Sequence, residues 1–365
     1  MRTRHRLATA VAMVGGLVLA VGSATAGSAL SAAGVTARAG GAGVAPRELI
    51  YVANADSGPV TAYPAGSRGA VTPVRTVSAP KDPNASWQPW GVAFDSAGHL
   101  YVQTFLSDAT SFVFRPEAHG ITAPMRDFTG TGTDNRSIAV DARGYEYVAG
   151  GEQSTTVVVE PPSAGGSPRN LYYVPPVRTI QLDEGWNPWP SDLAIGRNNE
   201  LLATVARPHG NGIEVYPGGA HASGKPLRVI SGPATGLGSC SASACDQVVI
   251  AFSPLTGEIY AGVTAGTHTR ISVFAGNAAG DAKPLRTIEG PATGLAGTSI
   301  TGITSSQCDG TIYAMVHSSA SGFGPGHIDA YGRAARDNSR PVRTFTDSGS
   351  SFKNAQGLTI TKCAA

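Results

Sequence analysis

The sequence predicts an all-β protein, a six-bladed β-propeller with four strands in each blade. Three observations carry this prediction. The tripeptide P-x-R recurs six times at steps of 50 to 58 residues, and short β-like segments recur with it. The 365 residues include 47 Gly and 25 Pro, while only 14% are charged, which excludes a coiled coil or charged helical bundle and favours many short strands and turns.

The first 26 residues have the layout of a secretory signal peptide. Basic Arg2, Arg4 and Arg6 precede an apolar stretch over residues 7–20, and Ala24-Thr25-Ala26 fits a cleavage site. The apolar stretch is shorter than the ~20 residues that a membrane span needs. We therefore expect a signal peptide over residues 1–26, a secreted extracellular protein and no membrane span.

Residues 27–46 and 47–365 differ in composition. The first segment is a run of Gly, Ala and Ser without periodicity, which predicts a flexible linker, and the second carries the repeats of the predicted propeller. Loss of the three leader arginines changes the formal net charge from +2 to −1. A nearly neutral protein has no field of one sign, so we expect neither nucleic acid nor an anionic membrane as a partner.

Every repeat contains the same series of short segments. In one repeat, residues 91–95 (GVAFD) predict a first strand, residues 99–102 (HLYV) a second and residues 111–114 (SFVF) a third, before P-x-R begins the fourth. Copies of the first segment begin at Ser137, Asp192, Val249, Gly302 and Gly357, and copies of the second at Glu48, Tyr145, Glu200, Glu258 and Thr311. Both segments therefore occur six times.

The repeats start and stop out of phase with the blades. After the linker the chain opens with a second-strand segment, residues 48–54 (ELIYVAN), and it ends with an unpaired first-strand segment, residues 357–361 (GLTIT). Pairing of these two segments would close the ring and remove two open sheet edges. We therefore predict that the C-terminal strand completes the N-terminal blade.

Four motifs resemble the NHL/YVTN-type propellers that bacteria secrete. They are IYVAN at 50–54, VTAYPAG at 60–66, ISGPATGL at 230–237 and IEGPATGL at 288–295. The resemblance covers residues 47–363 and implies a propeller built from NHL repeats. It implies an architecture and no activity, because one fold hosts many functions.

The P-x-R arginines have two interpretations. On an outermost strand Pro is tolerated, and a cation there discourages edge-to-edge pairing with other chains. Six spaced arginines can also form a belt that binds polyanions, although the nearly neutral chain favours the first interpretation. The six copies are Pro73-Val74-Arg75, Pro124-Met125-Arg126, Pro176-Val177-Arg178, Pro226-Leu227-Arg228, Pro284-Leu285-Arg286 and Pro341-Val342-Arg343.

Four cysteines in an exported chain predict two disulfides. Cys240 and Cys245 lie five residues apart in SCSASAC and predict a local pair. Cys308 and Cys363 each lie six residues after the Gly that opens a first-strand segment, so they occupy equivalent positions in neighbouring blades. A bond between them would tie the closing strand to the last continuous blade. The cysteines lack the spacing of a zinc site.

All four tryptophans precede first-strand segments, in two copies of W-x-P-W. Trp87 and Trp90 form one copy, and Trp186 and Trp189 form the other. Indole rings at the channel mouth can stack on a sugar or another flat ligand, or they can wedge between blades as packing. Both interpretations stay open at this point.

Polar residues at the predicted channel mouth suggest a second kind of site. They are Asn135, Arg136, Asp192, Asp246, Gln247, Thr301 and Gln356. The gluconolactonase-like six-bladed propellers, a distant resemblance, bind Ca²⁺ through a Glu, two Asn and an Asp. Asp192, Asp246 and Asn135 match part of that set, but the Glu is missing, so no metal site is transferred and no cofactor is predicted. Ca²⁺ or another divalent metal belongs to the enzymatic alternative only.

Three histidines follow second-strand segments, namely His209, His268 and His317. The streptogramin lyases, also bacterial propellers, use His with Glu and a divalent metal, so these residues are candidates for a base or ligand. Their offsets from the strands differ and no carboxylate accompanies them, which favours three solvated loop histidines. The chain has no G-x-S-x-G motif or phosphate-binding loop.

The sequence favours a monomeric, non-enzymatic propeller that binds an extracellular protein, glycan or small molecule through its loops. Its predicted binding residues are Trp87, Trp90, Trp186, Trp189, Arg136, Asp192, Asp246 and Gln356. One alternative is a metal-dependent lactonase or lyase with its site at the channel mouth. Another is carbohydrate binding by the W-x-P-W loops.

Overall fold

The computed structural model describes residues 48–363, with gaps. The gaps are residues 57, 82–86, 105–109, 130–136, 150–155, 167–173, 183–191, 208–209, 219–223, 241–244, 319–323 and 351. The predicted signal peptide and linker lie outside the described residues. The described residues form β-strands and two short 3₁₀ turns, Arg197–Asn199 and Pro233–Thr235. Within them, no helix has the length and apolar character to cross a membrane.

The first half of the described chain contributes thirteen strands. In chain order they are β1 (Leu49–Asn54), β2 (Val60–Pro64), β3 (Gly69–Val71), β4 (Arg75–Ser78), β5 (Pro89–Phe94), β6 (Leu100–Thr104), β7 (Thr110–Phe114), β8 (Gly120–Ile121), β9 (Arg126–Thr129), β10 (Ile138–Val140), β11 (Glu146–Ala149), β12 (Thr156–Glu160) and β13 (Arg178–Gln181).

The second half contributes thirteen more. They are β14 (Leu193–Ile195), β15 (Leu201–Arg207), β16 (Gly210–Tyr216), β17 (Arg228–Ser231), β18 (Gln247–Ser253), β19 (Glu258–Ala265), β20 (His268–Ala275), β21 (Arg286–Ile288), β22 (Ser299–Ser305), β23 (Ile312–His317), β24 (Gly326–Tyr331), β25 (Arg343–Asp347) and β26 (Ala355–Ile360).

Six antiparallel sheets form the blades, which confirms the predicted six-bladed propeller. From the innermost strand outward, blade 1 is β26-β1-β2-β4, blade 2 is β5-β6-β7-β9, blade 3 is β10 to β13, blade 4 is β14 to β17, blade 5 is β18 to β21 and blade 6 is β22 to β25. Each outermost strand begins at the arginine of a P-x-R motif. The repeat therefore predicted the position of every outermost strand.

The closing strand pairs as the sequence predicts. β26 lies antiparallel to β1, with Ile360 opposite Ile50 and Ala355 opposite Asn54. The Leu49 N–H donates to Thr361 Oγ1 at 2.8 Å, which extends this pairing past the end of the strand. The N-terminal blade is therefore completed by the C-terminal strand, which covers the inner edge of β1.

Further contacts join the chain ends at this seam. The Glu48 carboxylate accepts the hydroxyl of Ser306 at 2.6 Å and the N–H of Gln307 at 2.7 Å. Cys308 and Cys363 are bonded with their Cα atoms 5.2 Å apart, and Cys240 is bonded to Cys245. Both predicted cysteine pairs are confirmed.

Strand direction gives the ring two faces, which we name by their connections. The loop face carries the connections between second and third strands and those that lead into first strands. The turn face carries the turns between first and second strands and the ends of the third strands. Several of these turns are closed by a carboxylate: Asp95 Oδ1 accepts the N–H groups of Ala97 and His99, each at 2.9 Å.

The outer edges of blades 1, 2, 4, 5 and 6 pair with a segment of the next blade. β8 of blade 2 pairs in parallel with β4 of blade 1, and β3 of blade 1 pairs in parallel with β25 of blade 6. Single bridges from Ile230 to Gly280 and from Ile288 to Asp337 repeat the arrangement between blades 4 and 5 and between blades 5 and 6. Edge protection therefore comes from pairing, and not from the cationic side chains as the sequence suggested.

The P-x-R arginines instead join blades together. Arg286 of blade 5 makes a two-pronged ion pair with Glu258 at the start of its own second strand, at 2.5 and 2.9 Å, and donates to the Arg333 carbonyl oxygen of blade 6 at 2.6 Å. Arg228 repeats this with Glu200 and the Gly276 carbonyl oxygen. These side chains are committed to the fold, which removes them from any polyanion-binding belt.

Tyrosines replace the carboxylates in other blades. Arg126 donates to the Tyr101 hydroxyl at 2.6 Å, and Arg343 donates to the Tyr313 hydroxyl at 2.5 Å. Arg343 also donates to the Ala65 carbonyl oxygen of blade 1 at 3.1 Å. The same motif therefore uses two kinds of partner on the second strand.

The hydrophobic core lies between adjacent blades. Leu202 and Ile213 of blade 4, for example, pack in one buried cluster with Ile250 and Phe274 of blade 5. Innermost strands approach closely at glycines: a Cβ atom at position 357 would lie 2.4 Å from the Trp90 carbonyl oxygen. Every blade is therefore held by the faces of its two neighbours.

We expect Arg286→Ala to lower the free energy of unfolding by about 3 kcal/mol, because it leaves the mostly buried Glu258 carboxylate unpaired. Chemical denaturation measures this loss. The control is Arg336→Ala, an exposed arginine of the next blade whose described hydrogen bonds use backbone atoms. Its effect on the free energy of unfolding should stay within about 0.5 kcal/mol. An equal loss in both variants would contradict this role of the Arg286–Glu258 ion pair.

The two disulfides should contribute unequally to stability. Cys308 and Cys363 are separated by 55 residues and Cys240 and Cys245 by five. Loop-closure entropy then gives about 4 kcal/mol for the first bond and about 2 kcal/mol for the second. Melting temperatures of the Cys308→Ser/Cys363→Ser and Cys240→Ser/Cys245→Ser variants test this order, and the reverse order would show that the long bond does not stabilise ring closure.

Candidate functional site

Some predicted site residues lie outside the described residues. These are Arg136, Trp186 and Trp189, together with Asn135 and His209. Their roles stay predictions. The remaining predicted residues, Trp87, Trp90, Asp192, Asp246 and Gln356, have defined places in the structure.

Trp87 packs between blades 1 and 2. Its ring lies 5.5 Å from the ring of Phe112 and 6.1 Å from that of Phe114, and it is half-buried against the core of these blades. The indole N–H donates to the Gly58 carbonyl oxygen at 3.0 Å. Trp90 is half-buried in β5, beside the bulge between Pro89 and Gly91. Trp87 therefore has the contacts of a packing residue.

Asp192 joins the innermost strands of three blades. Its Oδ1 accepts the Ser137 hydroxyl of blade 3 at 2.6 Å and the Leu193 N–H at 2.9 Å, and its Oδ2 accepts the Ile250 N–H of blade 5 at 2.8 Å. Burial raises the pKa of this carboxyl to about 6, although these hydrogen bonds favour its ionised form. Both carboxylate oxygens are used within the fold.

Asp246 closes the loop that contains the local disulfide. Its Oδ2 accepts the Ser239 N–H at 2.6 Å and the Ser239 hydroxyl at 3.0 Å, next to the Cys240–Cys245 bond. Gln356 is half-buried in the closing strand β26. Asp192 and Asp246 each serve a different local structure, and the described contacts do not join their carboxylates in one site.

The histidines differ from the prediction of three solvated loop residues. His317 is the last residue of β23 and is fully buried. Its ring nitrogens lie 2.8 Å from the Ala355 carbonyl oxygen and 3.0 Å from that of Gly324. The prediction was wrong for His317 because β23 pairs as far as Ser299 and brings this residue against the closing strand. His268 is exposed at the start of β20.

A pocket of about 360 Å³ opens on the loop face between blades 1 and 6. Asn54 and Thr61 line it from blade 1, and Asp347 and Ser348 line it from the end of β25. The loop between β1 and β2 also contributes Gly58, whose carbonyl oxygen accepts the Trp87 indole N–H. Trp87 thus supports one wall of this pocket from behind.

The exposed lining of the pocket is mostly apolar, with a few polar groups among it. Asn54 donates through Nδ2 to the Pro59 carbonyl oxygen at 2.6 Å, and its Oδ1 has no hydrogen-bond partner among the described residues. The Asp347 carboxylate accepts the Tyr63 hydroxyl at 2.6 Å and the Gly349 N–H at 2.8 Å. Because Asn54 Oδ1 is buried from solvent, the polar groups that remain for a ligand are the hydroxyls of Thr72 and Ser348.

The pocket residues were missed by the sequence reasoning. Asn54 belongs to the IYVAN motif, which was assigned a structural meaning only, and the other walls come from a segment some 290 residues away. The one available signal was the predicted closure of the ring, which brings the segments before β26 and after β1 together.

A pair of buried carboxyl groups lies in the seam between blades 2 and 3. Glu146 and Glu160 are directly opposite each other on β11 and β12, with 1% and 0% exposure. Burial raises the pKa of Glu146 to about 8 and that of Glu160 to about 7. Groups with shifted pKa values often mark functional sites. This pair, however, is buried from solvent.

The contacts of Ser111 agree with a protonated Glu146. The Ser111 hydroxyl oxygen lies 2.6 Å from Gln103 Oε1 and 2.5 Å from Glu146 Oε1, and Gln103 Nε2 donates to the Thr104 carbonyl oxygen. A hydroxyl has one proton and can donate to one of these acceptors. The two short contacts are both hydrogen bonds when Ser111 donates to Gln103 and the protonated Glu146 Oε1 donates to Ser111, while Glu146 Oε2 has no partner among the described residues.

The described residues contain no group of three or more His, Cys, Asp or Glu side chains arranged to hold a metal ion. The predicted absence of a cofactor is not tested by this observation.

Neither the protein-family models nor the curated proteins include a match to this chain. Among solved structures, a protein of unknown function from Bacteroides caccae is similar over 86% of this chain and 98% of its own, with a TM-score of 0.56 and 10% identity. The β-propeller domain of Cps50 (Swd1) from Myceliophteria thermophila covers 73% of this chain and 74% of its own, with a TM-score of 0.45 and 12% identity. At such identities the first likeness shows the fold alone.

The buried pair predicts a stability that falls as pH rises. Between pH 4.5 and 8 the folded protein keeps protons on Glu146 and Glu160 that the unfolded chain releases, so each group costs up to about 1.4 kcal/mol per pH unit. We expect Glu146→Gln/Glu160→Gln to be more stable than the wild type at pH 8 and to flatten this slope. Denaturation at several pH values measures it.

The control is Glu117→Gln, which removes an exposed carboxylate of blade 2. Its pH profile should match that of the wild type. If the double variant kept the wild-type slope, other groups would be responsible for the pH dependence.

Proposed function

We propose that this protein is a secreted, non-enzymatic propeller that binds a ligand or partner through its loop face. The observation that supports the proposal is the 360 Å³ pocket between blades 1 and 6. Propellers and other closed folds bind ligands in concave sites of this kind, where a few polar groups fix the orientation. The motifs IYVAN, VTAYPAG, ISGPATGL and IEGPATGL also support a relationship to the NHL/YVTN-type propellers.

The lining favours an uncharged ligand that carries hydroxyl or N–H groups. Thr72 and Ser348 present hydroxyls at the rim, 3.3 Å from each other, beside the apolar part of the lining. The Asp347 carboxylate is already held by Tyr63 and by backbone N–H groups, so it adds little attraction for a cation. A glycan segment, a polyol or an exposed peptide loop fits this chemistry.

The enzymatic alternative has less support. A lactonase or lyase of the metal-dependent kind needs carboxylates that converge on one ion. Asp192, the leading candidate for such a role, directs its two oxygens to Ser137, Leu193 and Ile250.

Export has support of two kinds. The leader has the layout of a signal peptide, and the four cysteines form two pairs, as expected for an oxidising compartment. We therefore place the binding event outside the cytoplasm.

We expect Ser348→Tyr to block the pocket and abolish binding. The probes are a glycan array and a library of neutral polyols, followed by saturation-transfer NMR with each compound that binds the wild type. The matched control is Thr267→Tyr, which adds the same ring to an exposed turn of the loop face between β19 and β20. Binding that survives Ser348→Tyr, or no binding to either probe set, would count against the proposed site.

A further inference from the structure

Exposed charges are unevenly divided between the two faces of the ring. Among the described residues in the turns and loops of the two faces, the turn face carries six exposed Lys and Arg side chains and two exposed carboxylates, whereas the loop face carries two of each. Six more exposed charges lie on the outer rim, in connections between third and fourth strands, and they are Lys225, Lys283, Arg336 and Arg340, with Asp281 and Asp337. The turn-face charges are Arg68, Arg115, Arg143, Arg197, Arg333 and Lys362, with Glu117 and Asp309. The loop-face charges are Lys81 and Lys353, with Asp56 and Glu289. A nearly neutral chain therefore has one basic face.

The topology places these cations on one face. Arg143 lies in the turn between β10 and β11, and Arg197 begins the 3₁₀ turn between β14 and β15. Arg115 and Arg333 follow the third strands β7 and β24. Lys362 follows β26 and donates to the Ser96 carbonyl oxygen, in the turn between β5 and β6, at 2.8 Å. Together with Arg68, which follows β2, the six cations come from five different blades.

Apolar side chains accompany the cations. Leu255 is 46% exposed in the turn between β18 and β19, and both Leu255 and Arg333 approach Gly310 in the neighbouring turn of blade 6. Arg197 approaches Gly257, two residues from Leu255. Leu255 is therefore an exposed apolar side chain with a cation on either side.

An apolar perimeter borders the same face. The central residues of the six P-x-R motifs are 37% to 60% exposed, and they are Val74, Met125, Val177, Leu227, Leu285 and Val342. Each of these residues donates its backbone N–H to a carbonyl near the turn-face end of a third strand, as Leu285 does to Val273 at 2.7 Å. They account for most of the large hydrophobic side chains that the described residues expose.

We propose that the turn face docks onto an anionic lipid surface. A bilayer offers a flat layer of negative headgroups to cations that are spread over five blades, and a nearby apolar region to the exposed side chains around them. A linear polyanion would follow a track of cations and would gain nothing from the apolar perimeter. This docking uses the face opposite the pocket and does not depend on the proposed loop-face function.

Sedimentation of the full chain with lipid vesicles tests the proposal. We expect binding to vesicles that contain phosphatidylglycerol, weakening with salt, and little binding to phosphatidylcholine alone. Arg115→Ala/Arg143→Ala should reduce the affinity roughly twenty-five-fold, at about five-fold per cation. The described hydrogen bonds of these two residues use backbone atoms, so the fold should persist. The matched control is the loop-face pair Lys81→Ala/Lys353→Ala, which should bind as the wild type does.

A second variant separates lipid from polyanion. Leu227→Ser/Leu285→Ser should weaken binding to anionic vesicles and leave binding to heparin unchanged. All variants share the same N-terminal segment, so differences among them report on the turn face. Equal losses in the turn-face and loop-face pairs, absence of binding to anionic vesicles, or binding to heparin alone would overturn the proposal.

Discussion

The rest of this structure depends on the arginine that begins each outermost strand. A guanidinium stays charged and directs five N–H donors in a rigid fork, so it needs several acceptors once it leaves water. Its own blade supplies a carboxylate or a phenol from the second strand, and the next blade supplies a turn carbonyl, as Glu258 and Arg333 do for Arg286. One side chain thereby fixes the position of a blade relative to its neighbour, and the described residues show this contact for Arg75, Arg228, Arg286 and Arg343.

Such a ring has one break in its chain, inside blade 1, where the C-terminal strand β26 meets the N-terminal strand β1 beside blade 6. There the closing strand, the Glu48 contacts and the bond between Cys308 and Cys363 join the two ends of the domain. The loop-face pocket lies at the same seam, with Asn54 on one wall and Ser348 on another. The pocket therefore exists only when the ring is closed, so a ligand bound there would stabilise the closed ring.

The sequence predicted those features that repeat with a fixed period. Blade number, the phase of the closing strand and the pairing of Cys308 with Cys363 follow from equivalent positions in successive units. It could not predict the role of Arg286, because one of its acceptors is a backbone carbonyl 47 residues away, and backbone atoms leave no sequence signal. His317 was misplaced for a related reason: whether a residue ends a strand or starts a loop depends on how far the ladder continues.

Net charge sums over faces that the topology separates, so a nearly neutral chain can have one basic face. Short turns such as the one from Asp95 to His99 are fixed by Asx hydrogen bonds. The charged side chains on such turns are therefore held at defined positions on the turn face. The loop face has longer connections and encloses the pocket. The two faces therefore offer different chemistry in opposite directions. A lipid surface at the turn face would leave the pocket open to a second ligand, because neither surface shares a side chain with the other.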